Sequence, residues 1–170
     1  MKRRSLVLGA LAALGCSVRE GEPVAPRVQL GDPLQFTFGT LDGGELSSDT
    51  TRGRTTALLF VTTYDLPSQA EAELLRDLLT SYKPRANGAI VMLEPPRAAP
   101  LAQVWAEALR LKLPIAMASP NLLSGDSQLG RIEGVPTLIV LDRRGRLVAR
   151  AAGAQTREQI ADCLRRADGY

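Results

Sequence analysis

The chain of 170 residues contains no histidine. That removes the commonest metal ligand and the commonest general base. It argues against zinc, copper and haem sites, and against any Ser-His or Cys-His mechanism. Cysteine is nearly absent too, with only Cys16 and Cys163 in the chain, so a disulfide framework is excluded. Aromatic residues make up 4% of the sequence against 45% hydrophobic overall, so the core has to be built from Leu, Val, Ile and Ala. The longest apolar stretch, Leu6 to Leu14, is well short of the roughly 20 residues that cross a bilayer as a helix. Charge of one sign is not in excess where it would matter. The formal charge is +3, but Lys2, Arg3 and Arg4 account for three of the 21 basic residues. Without them, 18 basic residues face 18 acidic ones. A neutral domain gives no electrostatic case for nucleic-acid binding.

The N-terminus reads as an export signal. Lys2-Arg3-Arg4 is a basic start, residues 1–15 hold no acid, and the short apolar run leads into small residues and Cys16. This resembles a bacterial lipoprotein signal, in which cleavage before the cysteine leaves it lipidated. Ala13 and Leu14 stand in the reverse of the usual order. A plain secretory signal or an uncleaved anchor are the alternatives, and all three export the domain. The expected organisation is a signal over residues 1–16, a polar tether with Pro23, Pro26 and Pro33 over 17–33, and one domain over 34–170.

Within that domain, Leu34 to Phe38 alternates as a strand, and Asp42-Gly43-Gly44 turns it into a short strand near Glu45-Leu46. Thr55 to Thr62 is a continuous apolar strand and Pro67 to Tyr82 an amphipathic helix, with Ala72, Leu75, Leu78, Leu79 and Tyr82 on one face. Gly88 to Leu93 is a strand. Ala98 to Leu111 is a helix expected to bury Leu101, Val104, Trp105 and Leu109. Leu113 to Met117 is a short strand and Asn121 to Leu129 a short helix. Thr137 to Leu141 and Arg146 to Ala151 form a hairpin through Asp142-Arg143-Arg144-Gly145. Thr156 to Arg166 closes the chain as a helix, with Thr156 as N-cap and Gln159 at the capping-box position. Strands that alternate with helices predict an α/β domain with a mixed central sheet, a parallel part, and helices on both faces.

Gly134-Val135-Pro136-Thr137, followed by an apolar strand and the Asp142-Arg-Arg-Gly145 turn, resembles thioredoxin-like proteins, and within them the exported, membrane-tethered TlpA/ResA-type thiol–disulfide oxidoreductases. The resemblance spans residues 31 to 167. It implies a thioredoxin-like fold and a cis Val135-Pro136 bond facing the site. It departs at the chemistry. The family pattern runs Phe, any residue, Ala or Thr, Thr, Trp, Cys, any residue, Pro, Cys, two further residues, Glu. This chain reads Phe60-Val61-Thr62-Thr63-Tyr64-Asp65-Leu66-Pro67-Ser68-Gln69-Ala70-Glu71. Dithiol exchange needs one thiolate to attack and a second thiol to resolve the mixed disulfide. Asp65 and Ser68 perform neither step. The peroxidase and copper-carrying variants of the fold need cysteines, and in the second case a histidine, that are missing here.

What the resemblance leaves is a groove, with Tyr64, Asp65 and Ser68 on one side and Val135, Pro136 and Thr137 on the other. Asp65 caps the helix or contacts a bound segment. Tyr64 packs partly buried or makes a contact. In the family, the backbone beside the proline pairs with an extended segment by strand addition. The expected function is a catalytically silent envelope lipoprotein, anchored through Cys16, that binds a protein or peptide partner or serves as a scaffold, with no cofactor and no metal. The alternative is an oxidoreductase working through Cys163. That thiol, however, lies on an apolar stripe with Ile160, Leu164 and Ala167, the spacing of a buried position.

Overall fold

A computed structural model describes residues 31–169. The signal, Cys16 and most of the tether lie outside the described residues. Two short strands come first, β1 (Thr37–Gly39) and β2 (Glu45–Ser47), joined by the Asp42-Gly43-Gly44 turn, where Gly43 takes a positive φ of 81°. The helical turn α1 (Ser48–Thr51) follows. The main sheet alternates with helices: β3 (Thr56–Val61), α2 (Leu66–Ser81), β4 (Asn87–Met92), α3 (Ala99–Ala108), β5 (Ile115–Met117) and α4 (Pro120–Ser124). The chain ends with β6 (Thr137–Leu141), β7 (Leu147–Ala152) and α5 (Arg157–Asp168).

The five-stranded sheet has the order β5-β4-β3-β6-β7. β3, β4 and β5 run parallel, while β6 is antiparallel to β3 and β7 to β6. The β1–β2 hairpin leans on the β5 edge through a Thr40–Ala116 bridge and a Leu41 N–H bond to the Ile115 carbonyl (2.8 Å). β3 is buried at all six residues because both faces of the sheet are covered. Ala57, Leu59 and Val61 face a core shared with α2, α3 and α5. Leu58 and Phe60 face a second core made with the hairpin and Leu122 of α4. Both cores close within residues 36–167, so this segment carries everything a domain needs to fold on its own.

The expected α/β architecture with a hairpin at its start is what the chain forms. Several details differ. The first strand is confined to Thr37–Gly39. The helix expected over residues 121–129 stops at Ser124, because Gly125 takes a positive φ of 89° and ends it. On α3 the buried residues are Ala102, Trp105 and Ala106. Leu101 and Val104 are exposed (55% and 63%), and Leu109 is only partly buried.

Candidate functional site

The parallel strands β3, β4 and β5 all end on one side of the sheet, and β6 begins there, since Thr137 pairs with Phe60. Open α/β sheets place ligand sites at such an edge. Here it brings the β3–α2 junction beside the loop that precedes β6.

Asp65 is the N-cap of α2, in extended backbone (φ −99°, ψ 116°). Its Oδ2 accepts from the Ser68 backbone N–H at 2.8 Å and from the Ser68 hydroxyl at 2.6 Å. An ionised carboxylate is well placed here, against the positive end of the helix dipole. Ser68 has no exposed surface and its hydroxyl donates a hydrogen bond to Asp65. With no exposed surface and its hydrogen held by the Asp65 carboxylate, this hydroxyl is not placed to attack a substrate. Tyr64 and Leu66 flank this cap and stand out in solvent, at 80% and 74% exposure. The partly buried packing considered for Tyr64 is therefore not what the chain adopts.

On the other side of the edge, the Val135-Pro136 peptide bond is cis. The Thr137 hydroxyl donates to the Gly134 carbonyl at 2.7 Å and so tightens the turn. The Pro136 carbonyl accepts from Gly153 N–H at 2.8 Å. Gly134 is exposed, Val135 half-buried, and Pro136 and Thr137 buried. All six residues expected at the groove thus lie along one edge. Tyr64, Gly134 and Val135 present accessible surface, whereas Ser68 and Thr137 work beneath it.

Two further side chains help to build the site: Glu71, which the sequence shows only as a position matching the ResA-type pattern, and Glu94. Glu71 sits one turn past Ser68 and is 2% exposed. Its Oε2 accepts from Gln155 N–H at 3.0 Å. Its Oε1 has no partner among the described residues. Burial pushes its pKa up to about 7, with the Gln155 bond opposing that rise. The Gln155 side-chain amide donates to the Gly153 carbonyl, and Gly153 N–H donates to the Pro136 carbonyl, so Glu71 braces the loop that holds Pro136. The signal for it was a charged residue on the buried stripe Ser68, Glu71, Ala72, Leu75, Leu78. Glu94, just past β4, accepts from Thr63 N–H at 3.0 Å and from the Thr63 hydroxyl, and is buried. It fixes the strand end from which Tyr64 projects. Nothing in its sequence surroundings marked it.

Cys163 is 1% exposed and lies on α5 among the core residues. Burial pushes the thiol pKa up, and Arg166 (Nη2 to Sγ 3.2 Å) only partly opposes this. A reactive thiol needs exposure and a lowered pKa, and Cys163 has neither.

Comparison with known proteins bears on the scaffold. No family model matches the chain. A thiol-disulfide oxidoreductase, ResA of Bacillus cereus, is 23% identical over 141 residues, which cover 82% of this chain and 79% of that protein. A thiol:disulfide interchange protein of the thioredoxin family from Chlorobium tepidum TLS superposes with a TM-score of 0.69 at 19% identity, covering 83% of this chain and 98% of the other. The fold is the thioredoxin fold. The exposed lipoprotein thioredoxin Etrx1 of Streptococcus pneumoniae shares it, with a TM-score of 0.64, 17% identity, and coverage of 78% of this chain and 98% of its own. The thioredoxin fold accounts for the position of the β3–α2 junction beside a cis-proline turn. It does not by itself assign an activity.

Proposed function

We propose that this chain is an exported, thioredoxin-fold binding module without thiol–disulfide chemistry, which holds an extended polypeptide segment along the edge formed by Tyr64, Asp65 and Gly134 to Pro136. The observation that carries it is the Asp65–Ser68 pair. Where the resemblance to ResA-type proteins calls for two cysteines, the chain has an N-cap carboxylate and a buried hydroxyl bonded to each other. The relatives named above act on thiols and disulfides, and this chain keeps their scaffold while its one described thiol is buried. Export is part of the proposal and rests on the basic, apolar N-terminus, with the exposed lipoprotein thioredoxin of Streptococcus as a protein of the same fold. Lipidation at Cys16 belongs to the same proposal.

The exposed aromatic ring at Tyr64 and the accessible Gly134–Val135 backbone suit an extended segment with apolar side chains, with main-chain pairing along one side and a ring against the other. The test is the affinity of residues 17–170 for a permanently unfolded polypeptide, such as reduced and carboxymethylated lactalbumin, measured by fluorescence anisotropy. Tyr64→Ala and Val135→Asp should each weaken binding about tenfold. Binding that ignores both changes would favour a spacer role in a complex and contradict a groove.

A further inference from the structure

The end of the sheet opposite the candidate groove carries a segregated positive charge. Since β3, β4 and β5 are parallel and β6 is antiparallel to them, the loops that lead into the first three strands meet the β6–β7 turn there. Arg54 precedes β3, Lys83 and Arg85 precede β4, Arg110 and Lys112 precede β5, and Arg143 and Arg144 form the turn. All are exposed. The contacts that gather them are specific. Gly53 N–H bonds the Arg143 carbonyl at 2.9 Å. The Asp168 carboxylate accepts from Thr55 Oγ1 (2.7 Å), Tyr82 Oη (2.8 Å) and Arg143 Nη2 (3.4 Å).

The acids at this pole are mostly consumed. Asp49 pairs with Arg52, Asp142 with Arg146, Asp77 with Arg76, and Asp168 is tied as above. Asp42 and Glu107 remain near Arg110 and Lys112 at the β5 corner, and Asp32 remains exposed where the chain enters beside Gly145. Arg54, Lys83, Arg85 and Arg144 have no ion-pair partner among the described residues. Between α2 and the β4 and β5 loops lies a depression of about 490 Å³, lined by Arg76, Arg85, Arg110 and Lys112 with Asp77 as its one acid. A domain whose charges cancel in sum therefore presents a cationic face.

The polypeptide enters the domain at the same pole. Leu34 N–H bonds the Gly145 carbonyl at 2.9 Å, and Gly145 in the β6–β7 turn packs beside Pro33. The segment that precedes residue 31, with the expected tether and lipidation position Cys16, joins the domain at this pole. We infer that this pole is a docking face for anionic lipid headgroups, which holds the domain base-down on the membrane with Tyr64, Asp65 and Pro136 turned away from it. Clustered Lys and Arg beside a membrane attachment attract anionic lipid within about a Debye length. The inference stands apart from what the groove binds.

The test is co-sedimentation of residues 31–170, free of any lipid anchor, with phosphatidylcholine vesicles and with vesicles one-third phosphatidylglycerol. Binding should be about tenfold or more stronger to the anionic vesicles near 0.1 M salt. It should vanish at about 1 M salt, where the Debye length is about 3 Å. Arg54→Glu/Arg144→Glu should abolish it. Arg97→Glu/Arg131→Glu, which changes net charge equally but lies outside this pole, should leave it within about twofold. Circular dichroism of both variants guards against misfolding. Equal binding to neutral vesicles, equal loss in both variants, or tighter binding to duplex DNA than to the anionic vesicles would each overturn the inference.

Discussion

Asp65 holds the start of α2 through two bonds to one buried partner, Ser68. Asp65→Ala should cost about 1–2 kcal/mol in urea unfolding, the upper end of N-cap losses, because the Ser68 hydroxyl is left buried without an acceptor. Asp65→Asn should recover most of that. Glu71 sets a second expectation. Its pKa of about 7 in the folded domain lies above its ordinary value of 4.5. The folded state then binds the proton more tightly than the unfolded chain. Stability is full below about pH 4.5 as far as this group is concerned, and falls as pH rises through 7. The loss is roughly 3 kcal/mol at most. Glu71→Gln keeps the acceptor for Gln155 and removes the ionisation. It should flatten the stability profile between about pH 4.5 and 7, the span between the two pKa values, and should be more stable than the parent above pH 7. A wild-type profile that is flat over that span would refute the assignment. Asp65 was legible in the sequence as a cap, since Asp precedes a helix with Pro67 in its first turn. Glu71 was not read as a buried brace, because its partner Gln155 is 84 residues away and long-range pairing leaves no local mark.

Periodicity placed the elements well and one face badly. α2 and α5 carry their large apolar residues on the stripe they bury, and α5 opens with the Thr156–Gln159 capping box expected of it. α3 does not. Its buried stripe is Ala102, Trp105 and Ala106, about one residue round the helix from the one that hydrophobicity alone selects. Small alanines let α3 approach the sheet, and Trp105 fills the space between. Leu101 and Val104 are left outside. Leu75→Ala on α2 should therefore cost about 2–5 kcal/mol, as a fully buried leucine does. Leu101→Ala should stay within about 0.5 kcal/mol. The turn α1 escaped notice because its box uses Ser47 and Thr50 in place of the commoner Glu or Gln at the third position.

For the molecule as a whole, the order of strands and helices was readable because βαβ units and hairpins each leave a local pattern. The gathering of positive charge at one end was not. It arises only when loops from residues 54, 85, 112 and 144 are gathered by the sheet, and a sum over the chain cancels it. The thioredoxin fold was reached through the Gly134-Val135-Pro136-Thr137 turn and the β3–α2 junction. The proposed loss of thiol chemistry rests on Asp65 and Ser68 standing where the ResA-type pattern has cysteines. The most direct measurement is a disulfide-reductase assay on residues 17–170 beside Asp65→Cys/Ser68→Cys. No turnover in the unmodified domain together with turnover in the double variant is the predicted result. Turnover in the unmodified domain, abolished by Cys163→Ala, would contradict a silent site and place the chemistry on the buried thiol.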